Sequence, residues 1–419
     1  RRTRNRGSTS WRPPSSRGLP AETPVKPTTS NNDRAAGALA GASAARSTES
    51  LDALLLRSGL MRMALMKKKI QYIDLFCGIG GFRLAMDQAA TALGLAAKCV
   101  FSCDIDLECQ KAYAANFGER PHGDIKSINA DSIPYHDVLL AGFPCQPFSI
   151  IGNRRGFSDT RGTLFFDIAR ILEAKKPSIF VLENVKLLKN HNRGATFSRI
   201  LDVLKELEYF VDYRILNALD FGLPQKRERI FIVGFRNRRF FSWPQGGESM
   251  KSLKDILEPF VDPKFYASEH IKRSRLKKHT KTIEPTIWHE NKSGHVSAYP
   301  FSCALRAGAS YNYLLVNGER RLTPREMLRL QGFPDTFKIV CSDHQTRKQA
   351  GNALPVPVAK RIIQEALIAE FSSASAGEME YKHSIENTGQ LTLFGKRKSY
   401  GTNAKATDCR EVHSTLPTQ

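Results

Sequence analysis

Between Lys69 and Val233 the chain alternates short apolar runs with longer stretches whose apolar positions recur at helical spacing. Lys69-Ile70-Gln71-Tyr72-Ile73-Asp74-Leu75-Phe76 reads as a strand, Cys77 to Gly81 as a glycine turn, and about 82 to 93 as an amphipathic helix. A second strand, about 98 to 103, leads through Asp104-Ile105-Asp106 into a helix ending near Asn116. Asp137 to Gly142 is a third apolar run, broken by its glycine and then by Pro144. A helix from Thr163 to Glu173 stops before Pro177, and Ser178 to Val185 forms a strand ending in an acid. A helix through Leu207 and a strand near Val211 to Leu216 follow, then the basic turn Gln225-Lys226-Arg227-Glu228-Arg229 enters another strand. This alternation predicts an α/β fold with a doubly wound, mostly parallel sheet and helices on both faces.

The regular pattern then fades. Residues 258 to 322 carry short β-like pieces around the dense basic run from Lys272 to Lys278. Asn317-Gly318, between Leu314-Leu315-Val316 and Arg320-Arg321-Leu322, is a hairpin signal. Thr323-Pro324-Arg325-Glu326 is a capping box with proline at the first helical position, so a helix starts there and stops by Gly332. A last helix spans about 356 to 371. The ends, 1 to 66 and 373 to 419, hold few large apolar residues and read as disordered. The expected organisation is a catalytic and cofactor-binding domain over 67–257, a smaller, irregular β-rich domain over 258–344, and a return to the first domain over 345–372. The Arg- and Ser-rich, acid-poor start suits an organellar transit peptide. Met61, Met63 and Met66, just ahead of the first strand, favour translated upstream sequence instead.

Charge sharpens this picture. A formal net charge of +22 over 419 residues points to a polyanionic partner, nucleic acid first. The eight cysteines form no Cys-x-x-Cys pair, which argues against structural zinc and disulfides and for a reducing, cytoplasmic setting. No apolar run approaches a membrane span, so no membrane partner is expected, and a monomer is.

Candidate chemistry gathers at strand ends. The strand, glycine turn and helix at 69–93 form a nucleotide cradle. Arg83 stands where a dinucleotide fingerprint wants glycine, which points away from a nicotinamide cofactor. Asp104 or Asp106 could accept ribose hydroxyls, although Asp106 could equally cap the following helix. Cys145 lies just past the third strand between Pro144 and Pro147, so its loop has little freedom. Alone it would be a buried small hydrophobe. The basic, glycine-punctuated stretch 152–162 reads as a mobile loop able to close over phosphates. Glu183 ends an apolar strand, a setting that raises a carboxyl pKa.

Together these pieces resemble the DNA (cytosine-5) methyltransferases of restriction-modification type. The resemblance covers about Lys69 to Phe371 and rests on several ordered motifs. They are Asp74 to Phe82, Pro144-Cys145-Gln146, Glu183-Asn184-Val185, Gln225 to Arg229, and Gly351-Asn352. It implies the S-adenosylmethionine-dependent methyltransferase fold, with Phe76, Gly78, Gly80, Gly81 and Asn352 lining the cofactor pocket. Asp104 would hold the ribose, Ile105 pack on the adenine, and Asp124 accept from its amino group. Ile105 stands where some members have an aromatic, which keeps the contact without stacking. Residues 258–322 fall where the family carries its target-recognition segment. Lys272, Arg273, Lys277 and Lys278 would touch phosphates there, and Arg161 would close the 144–162 loop on double-stranded DNA.

In this family's chemistry Cys145 would add to carbon 6 of cytosine, making carbon 5 nucleophilic. Glu183 would protonate ring nitrogen 3, and Arg227 and Arg229 would stabilise the oxygen, a nearby phosphate and the thiolate. The base must be flipped out of the duplex. No metal is implied. A tRNA methyltransferase on the same fold is the runner-up, but the Cys-Phe-Thr tripeptide of that branch is missing. A silent DNA-binding homologue is disfavoured by the intact Cys145, Glu183 and Arg229. Gln390-Leu391-Thr392-Leu393-Phe394, apolar within a polar tail, resembles the peptide with which bacterial replication proteins dock on the sliding clamp. A labelled peptide spanning 386–397 should bind purified clamp saturably in fluorescence anisotropy, with modest affinity. Equal binding by a Leu393→Ala, Phe394→Ala peptide would remove the clamp as a partner.

Overall fold

The computed structural model describes residues 69–144 and 164–371, apart from 281 and 283. Six strands build the main sheet: β1 (Lys69–Leu75), β2 (Ala96–Cys103), β3 (Val138–Gly142), β4 (Ile179–Val185), β5 (Phe210–Asn217) and β7 (Glu228–Phe235). Their spatial order is β2-β1-β3-β4-β7-β5. β1 pairs in parallel with β2 and β3, and β3 with β4, whereas β7 runs antiparallel to both β4 and β5. The mostly parallel sheet expected from the β–α alternation is present.

Strand residues alternate between two cores. Tyr72, Leu140 and Val181 face one cluster, and Ile73, Leu139 and Leu182 face the other. Helix α1 (Gly81–Ala92) and the last helix, α8 (Val356–Phe371), cover the first face. Helices α3 (Leu164–Lys175) and α4 (Ala195–Glu206) cover the second. A parallel sheet buried on both faces explains why its strands read as continuous apolar runs. Helix α2 (Leu107–Phe117) follows β2 and is capped by Asp106, whose carboxylate accepts from the Glu108 and Cys109 N–H groups. α4 begins later than a helix leaving Val185 would. Residues 186–194 form 3₁₀ turns instead, with Asn192 and Arg193 in left-handed conformations.

The segment after the sheet contains α5 (Glu269–Leu276), a small antiparallel sheet and α6 (Pro324–Leu330). The small sheet orders as β11-β8-β9: β8 (Ile287–Glu290) lies between β9 (Val296–Tyr299) and β11 (Leu314–Val316). Fully buried Trp288 fills it. Asn317 and Gly318 adopt positive φ, as the hairpin signal requires, but the returning side bridges Val316 only through Arg320, and on its other side it pairs with residues 265–267. The strand expected at 320–322 is absent: the Arg321 N–H bonds the Phe265 carbonyl at 2.9 Å, and beyond it lies buried Glu326. Its carboxylate takes the Arg320 guanidinium at 2.8 and 2.9 Å, the Thr323 N–H at 2.9 Å and the Glu258 N–H at 2.8 Å. The capping box between Thr323 and Glu326 is formed. One carboxylate thus ties residue 258 to residues 320 and 323, and pins where the segment leaves and returns. Helix α7 (Asp343–Asn352) then leads into α8.

No helix among the described residues is long and apolar enough to cross a membrane. Gly234 sits opposite Phe180 in the β4–β7 pair, and a Cβ there would lie 2.1 Å from the ring. Gly234→Ala should cost about 1–3 kcal/mol of stability by overpacking. A lower denaturant midpoint, restored by adding Phe180→Leu, is the expected readout.

Candidate active site

The carboxyl ends of β1 to β4 share one edge of the sheet, with Leu75 beside Cys103 and Ala141, and Gly142 beside Glu183. Because β7 is antiparallel, its first residues arrive at this same edge, with Arg229 opposite Val185. Arg227 and Arg229, the two site candidates that do not follow a strand in sequence, join the others for that reason. A cavity of about 790 Å³ opens along the edge.

One half of the cavity is built on the glycine turn. Phe76 and Gly78 have φ of 54° each, a conformation that L side chains rarely adopt, so the turn is tightly specified. A Cβ at Gly78 would meet nothing within 4 Å. The turn is tied to β2 by Asp104, whose carboxylate accepts the Gly78 N–H and the Asp106 N–H at 2.8 Å each. Burial raises the Asp104 pKa against those two bonds. Phe76, Gly78, Gly81, Asp104, Ile105 and Asp124 line the cavity, as does Asn352 from the end of α7. Ile105 is 70% exposed, an apolar surface standing free at the rim. Asp124 also caps a 3₁₀ turn through the Lys126 N–H. Gly80 differs from expectation. It is buried away from the cavity, and a Cβ there would strike the Phe117 ring at 2.2 Å. Its glycine serves the packing of α2 on the turn.

Arg83 explains the departure from a dinucleotide fingerprint. It pairs with Asp87 at 3.1 Å and Glu119 at 2.6 Å, with its guanidinium over the Phe117 ring at 5.3 Å. A glycine at that position would lose this brace between α1 and α2.

The other half centres on Glu183. Its Oε1 pairs with Arg229 Nε at 2.8 Å, and the two side chains are only 12% and 13% exposed. Burial raises the Glu183 pKa, opposed by the charges of Arg229 and Arg227. Gly142 lies against this carboxyl, where a Cβ would stand in ordinary contact, 3.6 Å from Glu183 Oε2. Asn184 donates from Nδ2 to the Phe143 carbonyl at 2.8 Å and so fixes the chain as it leaves β3. Phe143 and Pro144 line the cavity with Glu183. Cys145 and Arg161 lie outside the described residues, as does the tail with Gln390, Leu391, Leu393 and Phe394.

Arg227 is placed differently from its expected role. It is 1% exposed, and its guanidinium donates to the carbonyls of Leu305 at 2.9 Å, Gly351 at 3.0 Å and Ala353 at 2.6 Å. Burial and the like charge of Arg229 lower its pKa. With three carbonyls as partners, it braces the cavity wall and leaves Arg229 as the arginine beside Glu183.

The basic run is not part of the cavity lining. Arg273, Lys277 and Lys278 are exposed on and just after α5, while Lys272 pairs with Glu269 at 2.9 Å. Lys278 Nζ donates to the Gly294 carbonyl at 2.5 Å. Arg275, in the middle of the run, turns inward to Glu290. Sequence reading missed residues 305–308, which line the cavity from the irregular segment. Gly308 was the one local signal there.

The family model for C-5 cytosine-specific DNA methylase matches residues 70–367. The type II methyltransferase M.HaeII of Haemophilus aegyptius is 55% identical over 298 residues, which cover 70% of this chain and 92% of that protein. M.NgoBI of Neisseria gonorrhoeae is 55% identical over 291 residues, covering 68% and 89%. M.HhaI of Haemophilus parahaemolyticus is 40% identical over 316 residues, covering 70% and 93%. Among solved structures, a Spodoptera frugiperda DNMT2 mutant aligns at TM-score 0.56 and 21% identity, over 70% of this chain and 98% of that one, a likeness of fold. The chain belongs to the C-5 cytosine-specific DNA methylase family of restriction-modification type and is a DNA (cytosine-5-)-methyltransferase.

Proposed function

We propose that this enzyme methylates carbon 5 of a cytosine flipped out of duplex DNA, through a covalent adduct with Cys145 and with S-adenosylmethionine as donor. The observation that carries this reading is the Glu183–Arg229 pair set against Gly142, three residues before Cys145 and on the rim of the glycine-turn cavity. The cavity suits the cofactor: the carboxylates of Asp104 and Asp124 would accept from its hydroxyl and amino groups, and Ile105 offers an apolar surface. Phe76, Gly78, Gly81 and Asn352 would complete the hold. When bound, S-adenosylmethionine supplies an electrophilic methyl group.

The chain's own residues do the rest. The Cys145 thiolate adds to carbon 6 of the cytosine, and the electron pair so released makes carbon 5 nucleophilic. Glu183 donates its proton at ring nitrogen 3, a role that the upward shift of its pKa by burial favours. Arg229 holds that carboxyl in place and faces the ring oxygen. Loss of the carbon 5 proton to a base then expels the Cys145 thiolate. The stacked duplex hides carbon 6, so the base is extruded into the cavity, where Arg161 helps close the 144–162 loop over it. Residues 258–322 select the target sequence, and Lys272, Arg273, Lys277 and Lys278 fix its register through phosphates.

Three outcomes are expected. Cys145→Ser should abolish transfer of labelled methyl groups to unmethylated DNA while binding the DNA as before; near-normal transfer would sink the adduct. Glu183 must be protonated to act, so the rate should be full below its raised pKa and fall as pH rises through it. Glu183→Gln should lower kcat by about 10²–10⁴ and flatten that alkaline limb; an unchanged limb would assign it to another group. Replacing Lys277 and Lys278 with Ala should reduce the salt slope of DNA binding by about 1 per lysine. An unchanged slope would place the phosphate contacts elsewhere.

A further inference from the structure

Two glutamines have no part in the chemistry above, yet Gln225 and Gln331 are both fully buried. Gln225 Nε2 donates to the Leu330 carbonyl at 2.8 Å and to Gln331 Oε1 at 3.3 Å. Gln331 Nε2 donates in turn to the Ala350 carbonyl at 2.6 Å. Gln225 Oε1 accepts the Leu305 N–H at 3.0 Å, while Arg227 takes the Leu305 carbonyl at 2.9 Å. The backbone of Leu305 is thus held from both sides by the strand pair Gln225–Lys226 (β6) and the residue that follows it.

Leu305 opens the stretch 305–308, which comes from the recognition segment and lines the cavity opposite the glycine turn. Residues 351–353 line it from the end of α7. The two stretches touch directly, because a Cβ at Gly351 would lie 2.4 Å from the Ala307 nitrogen. No regular element holds 305–308 in place; the preceding pair, Ser302–Cys303 (β10), bonds only to β6. The amide network shares the setting of its distance from Gly351 with Arg227, which bridges the Leu305 and Gly351 carbonyls, and with the Tyr313 hydroxyl, which accepts the Arg306 N–H at 3.0 Å. A buried network in which every member is paired fixes one arrangement, and removal of a member leaves carbonyls without donors.

We propose that Gln225 and Gln331 are positioning residues that hold the 305–308 stretch as a wall of the cofactor cavity, so that cofactor affinity depends on how the recognition segment is seated. This rests on the cavity being the S-adenosylmethionine site. Gln331→Met and Gln225→Met keep the volume and remove the bonds. In the full-length enzyme, with labelled-methyl transfer to unmethylated plasmid DNA, each should raise KM for S-adenosylmethionine about tenfold. Calorimetric Kd for S-adenosylhomocysteine should rise alike, and kcat at saturating cofactor should stay within about twofold. The double variant should be no worse than the weaker single one, since both act through one network. Gly351→Ala, which displaces Ala307 without orphaning a polar group, should also raise KM and serves if the methionine variants fail to fold. A fall in kcat with KM and Kd unchanged, the signature of lost folded enzyme, would overturn the proposal. Wild-type protein that binds no S-adenosylhomocysteine would instead overturn the cofactor reading itself.

Discussion

The pairing of Glu183 with Arg229 at 2.8 Å depends on strand direction. β7 enters the sheet from the edge where β4 ends, so Arg229 lies beside Val185 and its side chain reaches back to Glu183. A parallel β7 would have put its arginines at the far edge. Two charges so thoroughly desolvated add little to stability. Burial raises the pKa of the carboxyl, while the guanidinium holds it in place.

The segment 258–322 is attached to this edge at two buried polar points. Glu326 collects its first and last residues, and the Gln225–Arg227–Gln331 group collects its inner stretch at Leu305. Both attachments are hydrogen-bonded groups of low exposure, which specify a unique seating better than apolar contact does. Cys77, Cys103 and Cys109 also line the cavity, and burial raises all three thiols above their ordinary range, with Cys103 pushed up to about 12. They are poor nucleophiles there.

Much of the frame was legible because its signals are local. Apolar runs bounded by Gly142, Pro144 and Pro177 gave the strands, and the Thr323 capping box gave the start of α6. Strand direction is not local, so the reason for Arg227 and Arg229 reaching the site could not be read. Nor could the work of Arg227, whose partners Leu305, Gly351 and Ala353 are far away in sequence. Gly80 looked like a cavity glycine because its motif neighbours Gly78 and Gly81 line the cavity; only the Phe117 ring explains it. The hairpin at Asn317-Gly318 was visible, but its returning side pairs with residues 265–267, a competition that no single stretch reveals.

The central claim is that the thiol one residue past Pro144 attacks the cytosine. Duplex DNA carrying 5-fluorocytosine at the target position blocks loss from carbon 5 and preserves the adduct. Peptide mass spectrometry of the denatured complex, formed with S-adenosylmethionine present, reads the attachment site. The account predicts a single modified peptide, with the nucleotide on Cys145. Attachment to Cys77, Cys103 or Cys109, or no adduct in a preparation that methylates ordinary DNA, would contradict it.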